Sequence, residues 1–195
     1  MEAIIGDTAS GNRTAEQPEE GRETLELSLL LRRIAAGDRA ALGGLYDACA
    51  ERLYALALWR TGSREDAADV VQELFVRLVQ TGEALGNVRR PLPYLLRMAH
   101  NLAISTVRRR RPHLELDAIL VADPGADAEM RLATRQASAL LAGLPPAQRE
   151  ALYLRFFEGL SYREIGAVTG VPTFTAASRC RIGLARLRRR MGVPE

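Results

Sequence analysis

The 195-residue chain contains no lysine: all 27 basic residues are arginine. Cysteine occurs only as Cys49 and Cys180 and histidine only as His100 and His113, with no ligand-like spacing among them. A disulfide framework or a cysteine-based metal site is therefore not expected. No stretch approaches the roughly 18 apolar residues of a membrane span. The N-terminus is acidic and polar where a signal peptide is basic and then apolar. These absences point to a cytoplasmic protein without membrane insertion. No constellation of nucleophile, base and metal ligands is visible, so neither an enzyme nor a bound cofactor is expected.

What the chain does have is charge arranged in blocks. Residues 1–23 hold six acids against two arginines, and residues 24–111 hold nine acids against fourteen arginines. Residues 112–136 hold five acids against two arginines, and residues 137–195 four against nine. Two basic blocks thus alternate with two acidic segments. Arginines that neutralise phosphates release counterions, so this pattern suits a polyanion partner. A pair of solvated helix faces fits it equally well at this level.

Apolar residues recur with helical period almost throughout, and no stretch alternates like a strand. The fold class is all-α: two small helical domains joined by a flexible acidic linker, the second containing a helix-turn-helix. The boundaries read as a disordered tail over 1–23, a first domain over 24–111, a linker over 112–128 and a second domain over 129–195. A first helix covers about 25–36 and ends at Gly37. Asp38 caps the next, which runs to about Arg60 and buries Leu42, Leu45, Leu53, Leu56 and Trp59.

In "TGSREDAADVVQELFVRLVQ", Gly62 closes one helix, and Ser63 with Asp66 caps another that runs to about Gln80. Ala67, Val70, Val71, Leu74 and Leu78 form its buried stripe, leaving Asp66, Asp69, Gln72 and Glu73 on its surface. "TGEALGNVRRP" reads as a loop, and Pro91 starts a helix that closes at Pro112. On that helix Leu95, Met98, Leu102 and Val107 keep one side apolar. Arg97, Asn101, Ser105 and Arg108 share another face at four- and three-residue steps. With Tyr94 one turn earlier, these groups suit phosphates, base edges and stacking.

"DAILVADPGADA" has few anchoring residues and a Pro-Gly pair, as a linker does. Helices over 129–142 and 146–157 follow. "SYREIGAVTGVPTFTAASRCRIGLARLRRRM" then begins with a Ser161 and Glu164 capping box. It turns through Gly170, Val171 and Pro172 and restarts with Thr173 as a cap. Two helices with so tight a joint form a helix-turn-helix, whose second helix enters the major groove. On that second helix Ala176, Cys180, Leu184, Leu187 and Met191 form a buried seam. Thr175, Ser178, Arg179, Ile182, Arg186 and Arg189 lie largely on the other side, with Ile182 about 200° from Cys180.

Three stretches carry a family resemblance. "REDAADVVQELFVRL" resembles the region 2 helix of bacterial sigma factors of the extracytoplasmic-function (ECF) group, and "PYLLRMAHNLAISTVRRRR" is similar to the promoter-melting helix that follows it. "LAGLPPAQREALYLRFFEGLSYREIGAVTGVP" resembles the opening of region 4. The resemblance implies a dissociable specificity subunit of RNA polymerase. Asp66, Asp69, Gln72, Glu73 and Phe75 would dock on core RNA polymerase. Asn87, Arg89, Arg90, Tyr94, Arg97, Asn101, Ser105 and Arg108 would hold the single-stranded minus 10 element of promoter DNA. Thr173, Thr175, Ser178, Arg179, Arg181, Ile182 and Arg186 would face the duplex minus 35 element. An anti-sigma factor is a further implied partner, and the acidic linker would follow the polymerase channel.

The chain departs from the family pattern at several sites: Tyr94 stands where Trp is frequent, Ser105 where Asp is frequent and Ala176 where Val is usual. Phe174 replaces a small or polar residue, and Ile182 a basic one. Two rivals differ in class. A plain helix-turn-helix regulator leaves the Gln72 and Glu73 face without a partner, and a helical adaptor leaves the arginines as solvated surface.

Overall fold

The computed structural model describes residues 17–109, 140–141 and 143–192, and every regular element among them is helical. Helix α2 (Ala40–Thr61) shows why the fold has a centre. It buries Leu45, Cys49, Leu53, Leu56, Ala57, Leu58 and Trp59, residues that point in nearly every direction around its axis. A helix apolar on all sides belongs inside, and α2 packs on α1 (Gln17–Ala35), α3 (Arg64–Thr81) and α4 (Pro91–Arg109). Leu42, expected in the core, is only partly buried at its margin.

Helix α1 starts earlier than its sequence suggests. Residues 17–23, expected within a disordered tail, are helical; Glu23 pairs with Arg52 of α2, and Leu27 and Leu31 are buried farther along. Asp38 accepts a hydrogen bond from the Ala40 amide at 3.0 Å and pairs with Arg33 at 2.7 Å, bracing the turn into α2, while Arg39 holds the N-cap position without a side-chain cap. Gly62 closes α2 at φ 72°, and the Ser63 hydroxyl accepts from the Asp66 amide at 3.3 Å. All five residues of the expected α3 stripe are buried. The segment after α3 is a short 3-10 turn, Gly82–Asn87, anchored by buried Leu85, where the sequence suggested an irregular loop.

A second bundle comprises α5 (Pro146–Phe156), α6 (Tyr162–Thr169) and α7 (Thr173–Arg190). The linker 112–128 lies outside the described residues, as do most of the helix expected over 129–142 and the end of the helix expected to close at Pro112. The capping box at Ser161 and Glu164 is complete. Gly170 adopts φ 69°, a left-handed backbone that favours glycine, and so turns the chain from α6 to α7. A Cβ at Gly166 would lie 2.6 Å from the Val171 carbonyl oxygen, so only glycine permits this close a joint. Thr173 does not cap α7: it is the first helical residue, preceded by Pro172, and no side chain caps that end.

The two bundles touch through α2 with α5 and α4 with α6. This contact explains burial the sequence did not suggest. Leu96, His100 and Ala103 of α4 step by four and three along a second stripe, roughly 100° around the helix from Leu95 and Leu102, and all are buried. Val107, expected in the first stripe, is 37 % exposed, because it lies near the end of the helix.

Candidate polymerase and nucleic-acid interfaces

Three surfaces carry the sequence-derived candidates. On α3, Asp69, Gln72 and Glu73 are exposed and Phe75 is half-buried, its ring 5.3 Å from that of Tyr46. Glu73 pairs with Arg77 one turn later at 2.8 Å. Asp66 behaves differently and corrects the expectation that it lies on the surface: it is 2 % exposed. Four-residue steps put it in line with Val70 and Leu74, so the helix turns it inward. Beside this acidic ridge, Leu42, Tyr46, Val71, Phe75, Val76 and Val79 line an apolar groove between α2 and α3.

The second surface is the exposed side of α4 and the turn before it. Asn87, Arg89, Arg90, Arg97, Asn101, Ser105 and Arg108 are exposed and Tyr94 is half-buried. Arg97, Asn101, Ser105 and Arg108 lie on one face as their spacing requires. The Ser105 hydroxyl donates to the Asn101 carbonyl at 2.9 Å. Arg90 reaches across to Glu164 of α6 at 2.8 Å. Burial is the largest influence on Glu164 and pushes its carboxyl up, but the Ser161 hydrogen bonds and the nearby arginines together hold it below the usual carboxylate value.

The third surface is α7. Ala176, Cys180 and Gly183 are its buried residues, Leu184 and Leu187 are partly buried, and Met191 is 61 % exposed just beyond the end of the helix. The seam therefore ends sooner than its spacing suggested. Opposite it, Ser178 is half-buried, while Arg181 and Ile182 are exposed. Thr173 is exposed and Thr175, Arg179 and Arg186 are half-buried on the flank, where Arg186 donates to Gln148 Oε1 of α5 at 3.0 Å. Arg181 is exposed, whereas Arg179 is half-buried. Phe174, absent from the candidates, is 73 % exposed in the first turn of this helix. Its helical phase, opposite the buried seam, was the signal that would have marked it.

With this geometry in place, comparison with known proteins decides the family. Residues 45–113 match the sigma-70 region 2 model, and residues 134–187 match a sigma-70 region 4 model. The ECF RNA polymerase sigma factor SigE of Mycolicibacterium smegmatis is 36% identical over 79% of this chain and 64% of its own length. SigW of Bacillus subtilis, also an ECF sigma factor, is 25% identical over 83% of this chain and 94% of its own. The chain belongs to the ECF sigma factors.

Its function is promoter recognition for RNA polymerase in transcription initiation. Two solved structures share the fold. CnrH in complex with the cytosolic domain of CnrY has a TM-score of 0.63 and 23% identity, covering 87% of this chain and 99% of that one. RpoE of Bartonella quintana with the anti-sigma factor NepR also has a TM-score of 0.63, at 20% identity over 75% and 93%.

In the sigma factor, both bundles contribute buried and half-buried ionisable groups to their contact. Glu150 of α5 bonds to the His100 ring and lies 3.9 Å from Arg60. Arg52 holds Glu158 at 2.6 Å, and the Tyr153 hydroxyl donates to the same carboxylate at 2.7 Å. Burial, reinforced by Glu158, raises the Tyr153 phenol well above its ordinary value. Burial also lowers the Arg149 guanidinium to about 10, with Arg60 adding to the effect and Glu150 opposing it. His100, Arg149 and Glu150 have no signal in the sequence alone, since each acquires its role from a partner far along the chain. Among the described residues no group of His, Cys, Asp or Glu could hold a metal ion, and no helix is long and apolar enough to cross a membrane.

Proposed function

We propose that this sigma factor divides promoter recognition among its three surfaces. The α3 ridge of Asp69, Gln72 and Glu73, with Phe75 and the apolar groove beside it, docks on core RNA polymerase. Charged and amide groups around an apolar strip give both orientation and affinity to such a contact. Asp66 is omitted from this set, since its burial fits a role in seating the start of α3. The turn at Asn87, Arg89 and Arg90, with the α4 face of Tyr94, Arg97, Asn101, Ser105 and Arg108, holds the melted minus 10 strand. Arginines follow its phosphates and the aromatic ring offers a stacking surface.

Helix α7 enters the major groove of the minus 35 duplex. Ser178, Arg181 and Ile182 face the bases, Thr173, Thr175, Arg179 and Arg186 flank them, and the arginines from Arg188 to Arg190 lie on phosphates. The protein acts by binding alone, without catalysing a reaction, and works in the cytoplasm. An anti-sigma factor restrains it, as the complex of its structural neighbour RpoE with NepR suggests.

The observation that carries this reading is the exposure, on one chain, of both the Asp69, Gln72 and Glu73 ridge and the outer face of a helix-turn-helix. Co-purification with core polymerase tests it, followed by run-off transcription from randomised promoters. The folded full chain is expected to bind core polymerase and select one upstream and one start-proximal element. A folded chain that binds no polymerase overturns the reading.

A further inference from the structure

Phe174 is the most exposed of the large apolar side chains on the second bundle, at 73 %. An aromatic ring left in water forgoes a large burial gain. A single exposed apolar residue is common, but this one has a specific address. It occupies the second position of α7, in the turn from which the second helix of a helix-turn-helix reaches base edges. At 100° per residue, Phe174, Ser178 and Arg181 fall within about 60° of one another. They line one shallow hollow of about 480 Å³ together with Tyr162. The buried Ala176 and Gly183 lie away from this face, while Cys180 closes the floor of the hollow.

The combination of a hydroxyl, a guanidinium and an aromatic ring on one face matches the chemistry of a major-groove edge. Arginine pairs with guanine acceptors, serine with either donor or acceptor, and an apolar ring with the thymine 5-methyl group. Arg181 lines the hollow and the Arg155 guanidinium lies 5.1 Å from the centre of the Tyr162 ring, and this positive charge favours DNA over a second apolar protein surface.

We propose that Phe174 determines specificity at the minus 35 element by packing on the 5-methyl group of a thymine. The inference rests on the proposed placement of α7 in that duplex. It adds a residue whose discrimination needs no hydrogen bond, because the methyl group alone separates thymine from uracil.

The test uses the full chain assembled with core polymerase. Upstream duplexes are first selected with this holoenzyme, and each thymine in the selected element is then replaced singly by deoxyuridine. Pairing and hydrogen-bonding edges are preserved while the methyl is lost. Wild type is expected to lose about fourfold in affinity at one or two adjacent positions, the value of one buried methyl-sized group. Phe174→Ala abolishes that difference, whereas Arg181→Ala retains it, with helical circular dichroism unchanged in both. A flat uridine scan, an element without thymine, or uridine sensitivity that survives Phe174→Ala overturns the proposal. So does a Phe174→Ala protein that assembles poorly with polymerase while reading DNA as before, which would assign the ring to a protein partner. Failure to select any upstream duplex instead removes the α7 placement itself.

Discussion

The Arg149 Nε donates to the Trp59 carbonyl oxygen at 2.9 Å, joining residues 90 positions apart. Arg149 is 2 % exposed and Glu150, its neighbour on α5, is 1 % exposed. Around them the Trp59 and Tyr153 rings lie 5.3 Å apart, and Phe157 stacks on Tyr153 at 5.6 Å. The two bundles therefore meet through hydrogen-bonded and ion-paired side chains set among aromatic rings. Such a contact loses much when one partner is removed, because the other is left buried without compensation.

Glu150→Ala strips the buried His100 and Arg60 of their shared acid. It is expected to lower unfolding stability by about 3–5 kcal/mol, read as a shift in the urea midpoint. The surface control Val79→Ala, at a 49 % exposed site, should stay within about 0.5 kcal/mol of wild type. Equal midpoints for the two variants would contradict the role given to Glu150.

On α3, exposure separates binding from folding. Replacing Asp69, Gln72 and Glu73 together by alanine is expected to weaken core polymerase binding about tenfold or more without moving the thermal midpoint. Asp66→Ala should do the reverse, lowering the midpoint through a group that is 2 % exposed in the native protein. Titration of labelled variants against core polymerase, beside thermal melts, distinguishes the two.

Arginines along α7 should differ in kind. Arg181→Ala is expected to relax minus 35 sequence preference. Arg189→Ala should weaken all duplexes about equally and lower the slope of log affinity against log salt by about one. Salt-dependent binding of the holoenzyme to selected and scrambled duplexes provides both readings.

Acid should loosen the helix-turn-helix through Glu164. Its folded carboxyl titrates below the ordinary 4.5, so the unfolded chain takes up the proton first as pH falls. Its stabilisation is complete above about 4.5 and is lost as pH drops through the lower folded value. Glu164→Gln should show a shallower acid decline than wild type in unfolding measurements between neutral and strongly acidic pH.

Gly166→Ala tests the joint. The added Cβ meets the Val171 backbone carbonyl at 2.6 Å, and backbone yields less readily than a side-chain tip. A loss of about 1–3 kcal/mol is expected in thermal unfolding. Gly21, where nothing lies within 4 Å, offers the comparison, since Gly21→Ala should be neutral or mildly stabilising within α1.

Local chemistry determined a great deal of this protein from its sequence. The α3 stripe from Ala67 to Leu78, the Ser63 cap, the Ser161 and Glu164 box and the Gly170 turn are set by residues within a few positions of one another. Helical period and capping act at that range, so they are readable without a fold. The same range made the Arg97, Asn101, Ser105 and Arg108 face legible, and it put Ile182 outward, where it is 42 % exposed. Tertiary packing decided the rest. It extended α1 back to Gln17, buried Asp66, gave α4 its second stripe and drew Arg149, Glu150 and His100 into a single interface. It also left Arg181 and Phe174 exposed and Arg179 half-buried on α7, because which arc of a helix faces water depends on the neighbours that cover the opposite arc.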